Sequence, residues 1–307
     1  MPAEGRGGAR LWLPRWWPTW SLVGVLAVLG RLPCPLRLAL GNALGSALRI
    51  AMRRRRRIAR ANIALCFPNR DAAWRRRLLR EHFAELGIAV FDTAAAWTLS
   101  GERLDRMAHV RGLQHVQAAL SAGRGAILVA AHLTSIEMSM QLASRQQPTY
   151  SIYRRNKNPV LERMILAGRG RQRAVMFERE DMRTLLHALK SNRVVWFSPD
   201  QDHGLAQGAF VEFFGQPAAT VTTAARVAAR TGAPVLPLLY RRLPGCAGYE
   251  IEVLPAFEDF PGDDAVTATR RLNEFIERQV WLAPAQYLWV HRRFKTRPPG
   301  RAPVYRA

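Results

Sequence analysis

The chain has 307 residues, 49% hydrophobic and 22% charged, which excludes a peptide, a stapled miniprotein and a disordered chain. Lys and Arg total 46 against 23 acids, a net charge of +23; such an imbalance asks for a polyanionic partner, whether an anionic membrane, a nucleic acid or an acidic protein. Cys34, Cys66 and Cys246 are odd in number, far apart and in no CxxC pair, so no disulfide framework or zinc site is readable and a reducing compartment is expected.

Residues 1–60 hold twelve arginines and one acid, Glu4. Within them, residues 16–30 and 38–48 carry no charge, but neither run reaches the roughly 20 residues that span a bilayer. Arg31 and two prolines follow the first run where a signal peptide would have small cleavage-site residues. A retained membrane anchor over 1–60 is therefore expected, with residues 61–307 as the folded domain. Trp16, Trp17 and Trp20 suit the headgroup level, and the five arginines at 53–57 suit anionic lipid on the cytoplasmic side. Whether the segment spans or lies flat stays open. The competing reading is a nucleic-acid-binding arm; three tryptophans, two apolar runs and the lack of a recognisable nucleic-acid motif favour the membrane, so no nucleic-acid partner is expected.

Asp71 is a plausible N-cap for one or two amphipathic helices reaching about Leu99. Strand and helix then alternate. Strands are expected at 126–130 (AILVA), 149–153, 194–198 (VVWFS), 234–241 and 249–255, and helices between the first three strands, at 218–230 and at 265–282. This order predicts an α/β fold with a central, mostly parallel sheet flanked by helices, in which ligands collect at the carboxyl ends of the strands.

His132 and Glu137 directly follow the first of these strands. Five residues of helix turn roughly 500°, so the two side chains meet only if His132 precedes the helix and Glu137 sits in its first turn. One ring nitrogen would then be held by the carboxylate and the other would face a substrate, the base-plus-orienter pattern of acyl transfer. Residues 134–137 (TSIE) equally read as a capping box, with Thr134 as cap and Glu137 bonding back. Covalent chemistry is disfavoured: no G-x-S-x-G elbow occurs and Cys66 has no base beside it.

The element His132 to Glu137 resembles the H-x4-E form found in the late acyltransferases of lipid A biosynthesis, the lauroyl/myristoyl family within the glycerolipid acyltransferases. The likeness extends to residues 62–68 (NIALCFP), 153–159 (YRRNKNP), 198–202 (SPDQD) and 286–295 (QYLWVHRRFK), separated blocks in the right order. Where the family places a proline after the first arginine of the second block, this chain has Arg155. The resemblance implies a glycerolipid-acyltransferase-like fold. It further implies transfer of a fatty acyl chain from acyl carrier protein to a hydroxyl of a hydroxyacyl chain on a lipid A precursor, at the cytoplasmic face of a bacterial inner membrane and in contact with its lipids. No cofactor, metal or acyl-enzyme enters; His132 and Glu137 would be catalytic. An acyltransferase of the same superfamily acting on another membrane lipid is the alternative.

The remaining candidates are substrate-binding. Tyr153 ends a strand and places Arg154, Arg155 and Lys157, with Asn156 among them, near the mouth where His132 lies, suited to sugar phosphates unless they form a solvated loop. Asp200, followed by Gln201 and Asp202, would orient Arg154 or a substrate hydroxyl, or else be a structural turn. Residues 208–217 would wall an acyl-chain groove or form a core strand. The run His291, Arg292, Arg293 would contact phosphate or lie at a basic edge.

Overall fold

The structure is a computed structural model and describes residues 9–178 and 181–305. Two 3-10 turns, Ala9–Trp12 and Pro14–Trp16, lead into α1 (Trp17–Leu29), α2 (Cys34–Ala51), α3 (Arg53–Cys66), α4 (Ala72–Thr98) and α5 (Gly101–Asp105). After them come β1 (Ala108–Arg111), α6 (Leu113–Ser121), β2 (Ala126–Val129), α7 (Ile136–Gln146), β3 (Thr149–Tyr153), α8 (Pro159–Gly170) and β4 (Ala174–Glu178). The chain ends with α9 (Met182–Lys190), β5 (Val194–Phe197), β6 (Gly208–Phe213), β7 (Gln216–Val221), α10 (Thr223–Thr231), β8 (Val235–Arg242), β9 (Tyr249–Val253) and α11 (Ala265–Leu282).

The two uncharged runs become α1 and α2. Thirteen residues of α1 rise about 20 Å at 1.5 Å each, too short for a bilayer core, and among the described residues no helix is long and apolar enough to cross a membrane. Residues 1–8 of the expected anchor lie outside the described residues. The arginine block opens α3 and is mostly exposed. Asp71 does cap α4, accepting from the Trp74 amide at 2.6 Å, and a single helix of 27 residues follows. Glycines bring α2 and α4 into backbone contact: a Cβ at Gly45 would stand 2.2 Å from the Phe83 carbonyl oxygen, and one at Gly87 2.0 Å from that of Gly41.

Seven strands run in the order β1-β9-β8-β2-β5-β3-β4. All pairings are parallel except β8 with β9. The central strands are apolar on both faces, β2 being wholly buried, as a sheet covered by helices on both sides requires. The edge strands β1 and β4 are short, part-exposed and gave no sequence signal. The expected helix at 218–230 starts only at Thr223. Residues 216–221 instead pair with β6 as an antiparallel hairpin, because Phe214 (φ 51) and Gly215 (φ 68) form its two-residue turn with both residues left-handed. The expectation of unpaired cysteines is also corrected: Cys34 and Cys246 are joined, 212 residues apart, where the start of α2 meets the β8–β9 loop. Cys66 is free and buried.

Candidate active site

The strands β2 and β5 are parallel neighbours in which Val129 faces Phe197. His132 lies three residues past the first and Asp200 three past the second, so the register delivers both to the same point on the carboxyl edge of the sheet. There His132 Nδ1 and Asp200 Oδ1 are 2.5 Å apart, and the His132 amide donates to Oδ2 at 2.8 Å. Asp200 is buried, whereas the imidazole keeps 24% of its surface open. Burial works against the Asp200 carboxylate, but the charge and hydrogen bonds of His132, with Arg293 nearby, outweigh it and hold the carboxyl below its ordinary value.

The backbone around His132 is fastened on every side. The Ala131 amide donates to Gln279, the Tyr240 hydroxyl donates to the Ala131 carbonyl and accepts from the Leu133 amide, and the Leu288 amide donates to the His132 carbonyl. The Thr134 amide donates to the Gln286 carbonyl at 2.7 Å, and Leu133 bridges Tyr287 in antiparallel fashion. The C-terminal block of the sequence thus runs alongside the histidine loop. Its His291 ring lies over that of His132, centroids 6.2 Å apart and planes at 24°. Burial, and then the neighbouring His132, hold His291 down to about 4, so it is neutral at physiological pH. Arg293 is buried and donates to the Ala219 carbonyl and Thr220 Oγ1, and Arg292 stands over the Tyr305 ring. Arg293 is thus committed to the fold, while Arg292 is exposed at the surface.

Glu137 does not orient His132, in contrast to the expected dyad. It sits in the first turn of α7, whose N-cap Ser135 makes no side-chain cap, so the capping box does not form either. Its carboxylate points to α8 and α4, accepting from Arg169 Nη2 at 2.5 Å, Arg169 Nε at 3.0 Å and Trp97 Nε1 at 2.7 Å, with Gln141 at 3.3 Å. Burial opposes the charge, and the Arg169 and Trp97 contacts overcome it, leaving the carboxyl below its usual value.

A cavity of about 750 Å³ opens over both groups. His132, Glu137, Arg154, Arg169 and Gln201 line its polar part, and Ile136, Met140, Ile165 and Met176 its apolar part. Tyr153 also lines it, its hydroxyl donating to Glu162, which accepts from the Asn156 amide as well. Asn156 in turn accepts from Asn158, the cap of α8, so Asn156 shapes the loop that presents Arg154. Arg155 is exposed and lines no part of the cavity. Asp200 meets His132 rather than Arg154. Asp202 accepts from the Thr296 amide and hydroxyl, fastening the C-terminal segment. The β6–β7 hairpin is core, with Phe213 packed on Tyr287 and Phe294. Among the described residues no three His, Cys, Asp or Glu side chains gather to hold a metal. Sequence reasoning missed Trp97, Arg169, Tyr240 and Gln279, none of which stands near a motif in the chain.

An imidazole–carboxylate pair at the carboxyl edge of a parallel α/β sheet, opening on a cavity that is part basic and part apolar, is suited to proton transfer beside a substrate with an apolar portion. The chain belongs to the bacterial lipid A biosynthesis acyltransferase family, whose model matches residues 7–296, and is an acyltransferase. It is 36% identical to the lipid A biosynthesis lauroyltransferase of Escherichia coli (strain K12), over 94% of each chain. Similarity to the palmitoleoyltransferase of that organism is also 36%, over 95% of each chain. The lipid A biosynthesis myristoyltransferase is 28% identical over 95% of this chain and 91% of its own.

Proposed function

We propose that the chain transfers a fatty acyl group from the thioester of acyl carrier protein to a hydroxyl on a hydroxyacyl chain of a lipid A precursor, with His132 as general base and Asp200 as its orienting partner. The observation that carries this reading is the hydrogen bond between Asp200 and His132 Nδ1. Accepting a hydrogen bond from Nδ1–H, the carboxylate leaves the lone pair on Nε2. Nε2 removes the hydroxyl proton while the oxygen attacks the thioester carbonyl; collapse of the tetrahedral species breaks the C–S bond, and the imidazolium returns the proton to the departing thiolate. Asp200 stabilises the imidazolium in between, and the neutral His291 adds no competing charge. No acyl-enzyme is needed, in keeping with Cys66, whose thiol burial pushes up and away from thiolate.

Arg154, on the cavity, supplies charge to an acceptor phosphate or to the oxyanion. Glu137 acts one step back, holding Arg169 in the wall of the cavity while Trp97 donates to the same carboxylate. The exposed Trp17, Leu22, Val25 and Val28 of the N-terminal helices and the arginine block set the enzyme against the cytoplasmic face of the inner membrane, so acyl chains enter from lipid while the basic surface receives the acidic carrier protein. His132→Ala in membranes supplied with acyl carrier protein thioester is expected to lose about 10²–10⁴ of turnover, and lipid A from a strain carrying only that variant to lack one secondary acyl chain by mass spectrometry. Near-normal turnover would overturn the mechanism.

A further inference from the structure

Apart from the catalytic cavity, a second cavity of about 370 Å³ opens where the start of α2, the C-terminal part of α4, the end of α5 and the β8–β9 loop meet, and the two share no lining residue. Five guanidinium groups, those of Arg31, Arg37, Arg103, Arg106 and Arg242, line it against one carboxylate, that of Asp92. Asp92 is already engaged by the Tyr249 hydroxyl. Arg37 is only 4% exposed; among the described residues its guanidinium makes a single hydrogen bond, from Nη1 to the Gly30 carbonyl at 3.3 Å, and its Nε–H has no acceptor. Arg242 commits Nη2 to Glu85 and reaches the Leu243 carbonyl with Nη1, and its buried Nε–H is likewise without a partner. Arg103 and Arg106, three residues apart and so on one face, are exposed, and their guanidinium groups make no hydrogen bond or ion pair among the described residues.

Like charges collected around a hollow repel one another, and buried N–H groups lacking acceptors are unfavourable. An anion with several acceptor oxygens relieves both at once, and the planar fork of arginine fits phosphate best. The surroundings indicate which phosphate. Leu22, Val25 and Val28 form an exposed apolar face on α1, and Leu36 and Leu40 are exposed on α2 either side of Arg37. Immersing that face in acyl chains brings Arg31, just past the end of α1, and the mouth of the cavity to headgroup depth.

We propose that this cavity is a phosphate subsite that seats the headgroup of an anionic glycerophospholipid, beside the apolar face of α1 and apart from the catalytic cavity. The full chain in detergent is mixed with vesicles of phosphatidylcholine alone or with added phosphatidylglycerol, and binding is read by flotation. Arg103→Ala with Arg106→Ala is compared with Arg76→Ala with Arg80→Ala, which removes two exposed arginines four residues apart on α4 and far from the cavity lining. Wild type and the α4 variant are expected to bind phosphatidylglycerol vesicles at least tenfold more tightly than phosphatidylcholine ones. The cavity variant is expected to lose most of that preference while keeping its phosphatidylcholine binding and its thermal midpoint. Equal losses in both double variants would mean diffuse surface charge and would overturn the subsite, as would no loss in either. If the cavity variant instead keeps its vesicle preference but shows a raised KM for the lipid A precursor, the cavity takes the acceptor's phosphate and the headgroup assignment is wrong. Vesicle binding does not depend on turnover, so its outcome is independent of the proposed mechanism.

Discussion

The carboxyl edge of β2 and β5 and the junction of α7, α8 and α4 each hold one buried carboxylate against one nitrogen-bearing side chain. Asp200 meets His132, and Glu137 meets Arg169. Both carboxyls lie below their ordinary values despite burial, each because its partner outweighs the loss of water. The partners differ in what they can do next. Arginine is a donor only and keeps its charge, so the Glu137 pair is a fixed brace, whereas a neutral imidazole carries both an N–H and a lone pair, so the Asp200 pair can take part in a reaction. Closeness in the chain favoured Glu137 as the partner of His132; closeness in the sheet belongs to Asp200, 68 residues further on.

The sharpest way to break this comparison is to neutralise each carboxylate in turn. Asp200→Asn, which keeps size but inverts the preferred hydrogen bond to Nδ1, is expected to lower kcat by about 10²–10⁴ with little change in KM. Glu137→Gln, read per folded molecule, is expected to lower kcat by less than about tenfold but to cost about 2 kcal/mol of stability, since a mostly buried Arg169 then loses its counter-ion. Steady-state kinetics beside urea unfolding separates the two. The reverse ranking would return the orienting role to Glu137.

The same contrast explains what was legible in the sequence. Apolar runs such as AILVA and VVWFS announce buried parallel strands, and ligand sites lie past the ends of such strands, so His132, Arg154, Asp200 and Gln201 were all found as candidates. Their pairing was not readable, because it depends on β2 and β5 being neighbours in the sheet, and strand order leaves no local trace. The direction of Glu137 was hidden for the complementary reason: it has a motif, but its carboxylate is turned by Arg169 and Trp97, which arrive from α8 and α4. The Cys34–Cys246 link, spanning 212 residues, is hidden by the same non-local geometry. The start of the expected helix falls in β7 because alanines at 218 and 219 favour helix, a preference overridden when the Phe214–Gly215 turn pairs them with β6.

Acid titration sharpens the comparison further, because the two carboxylates and the buried histidines lose stability in different windows. Burial holds His82 down to about 4, against 6.5 unfolded, while its Nδ1 stays within 3.0 Å of the Ala285 carbonyl. The unfolded chain therefore binds the proton first, so this contribution is whole above pH 6.5 and is lost as pH falls toward 4; His291 follows the same course. Asp200 and Glu137 lie below their ordinary 3.8 and 4.5, so their contributions are present above those values and are lost only on further acidification. Glu85, Asp92 and Glu277, raised by burial, run the other way, which makes the difference between variants the proper readout. His82→Gln, which can still donate to the Ala285 carbonyl, is expected to remove about 2 kcal/mol of the stability lost between pH 7.5 and 5. Glu137→Gln should leave that interval unchanged, as urea midpoints at the two pH values will report.

The smallest expected effect concerns how firmly each pair is mounted. The Tyr240 hydroxyl bridges the Ala131 carbonyl and the Leu133 amide, the two peptide groups that flank His132. Tyr240→Phe leaves both buried groups without that partner and is expected to cost about 1–2 kcal/mol of stability. If rigidity of the strand end is what holds the imidazole on Asp200, kcat should fall several-fold more than stability alone accounts for, and the fall should persist at temperatures where the variant is fully folded. Glu137 and Arg169 sit on helices that Tyr240 does not reach through any hydrogen bond, so combining Tyr240→Phe with Glu137→Gln should give additive stability losses. Combining Tyr240→Phe with Asp200→Asn should not be additive in kcat, because once the carboxylate charge is gone a better-held ring has little left to gain. Additivity in that second pair would show that the tyrosine serves folding alone and that the two halves of the cavity are mounted independently of the base.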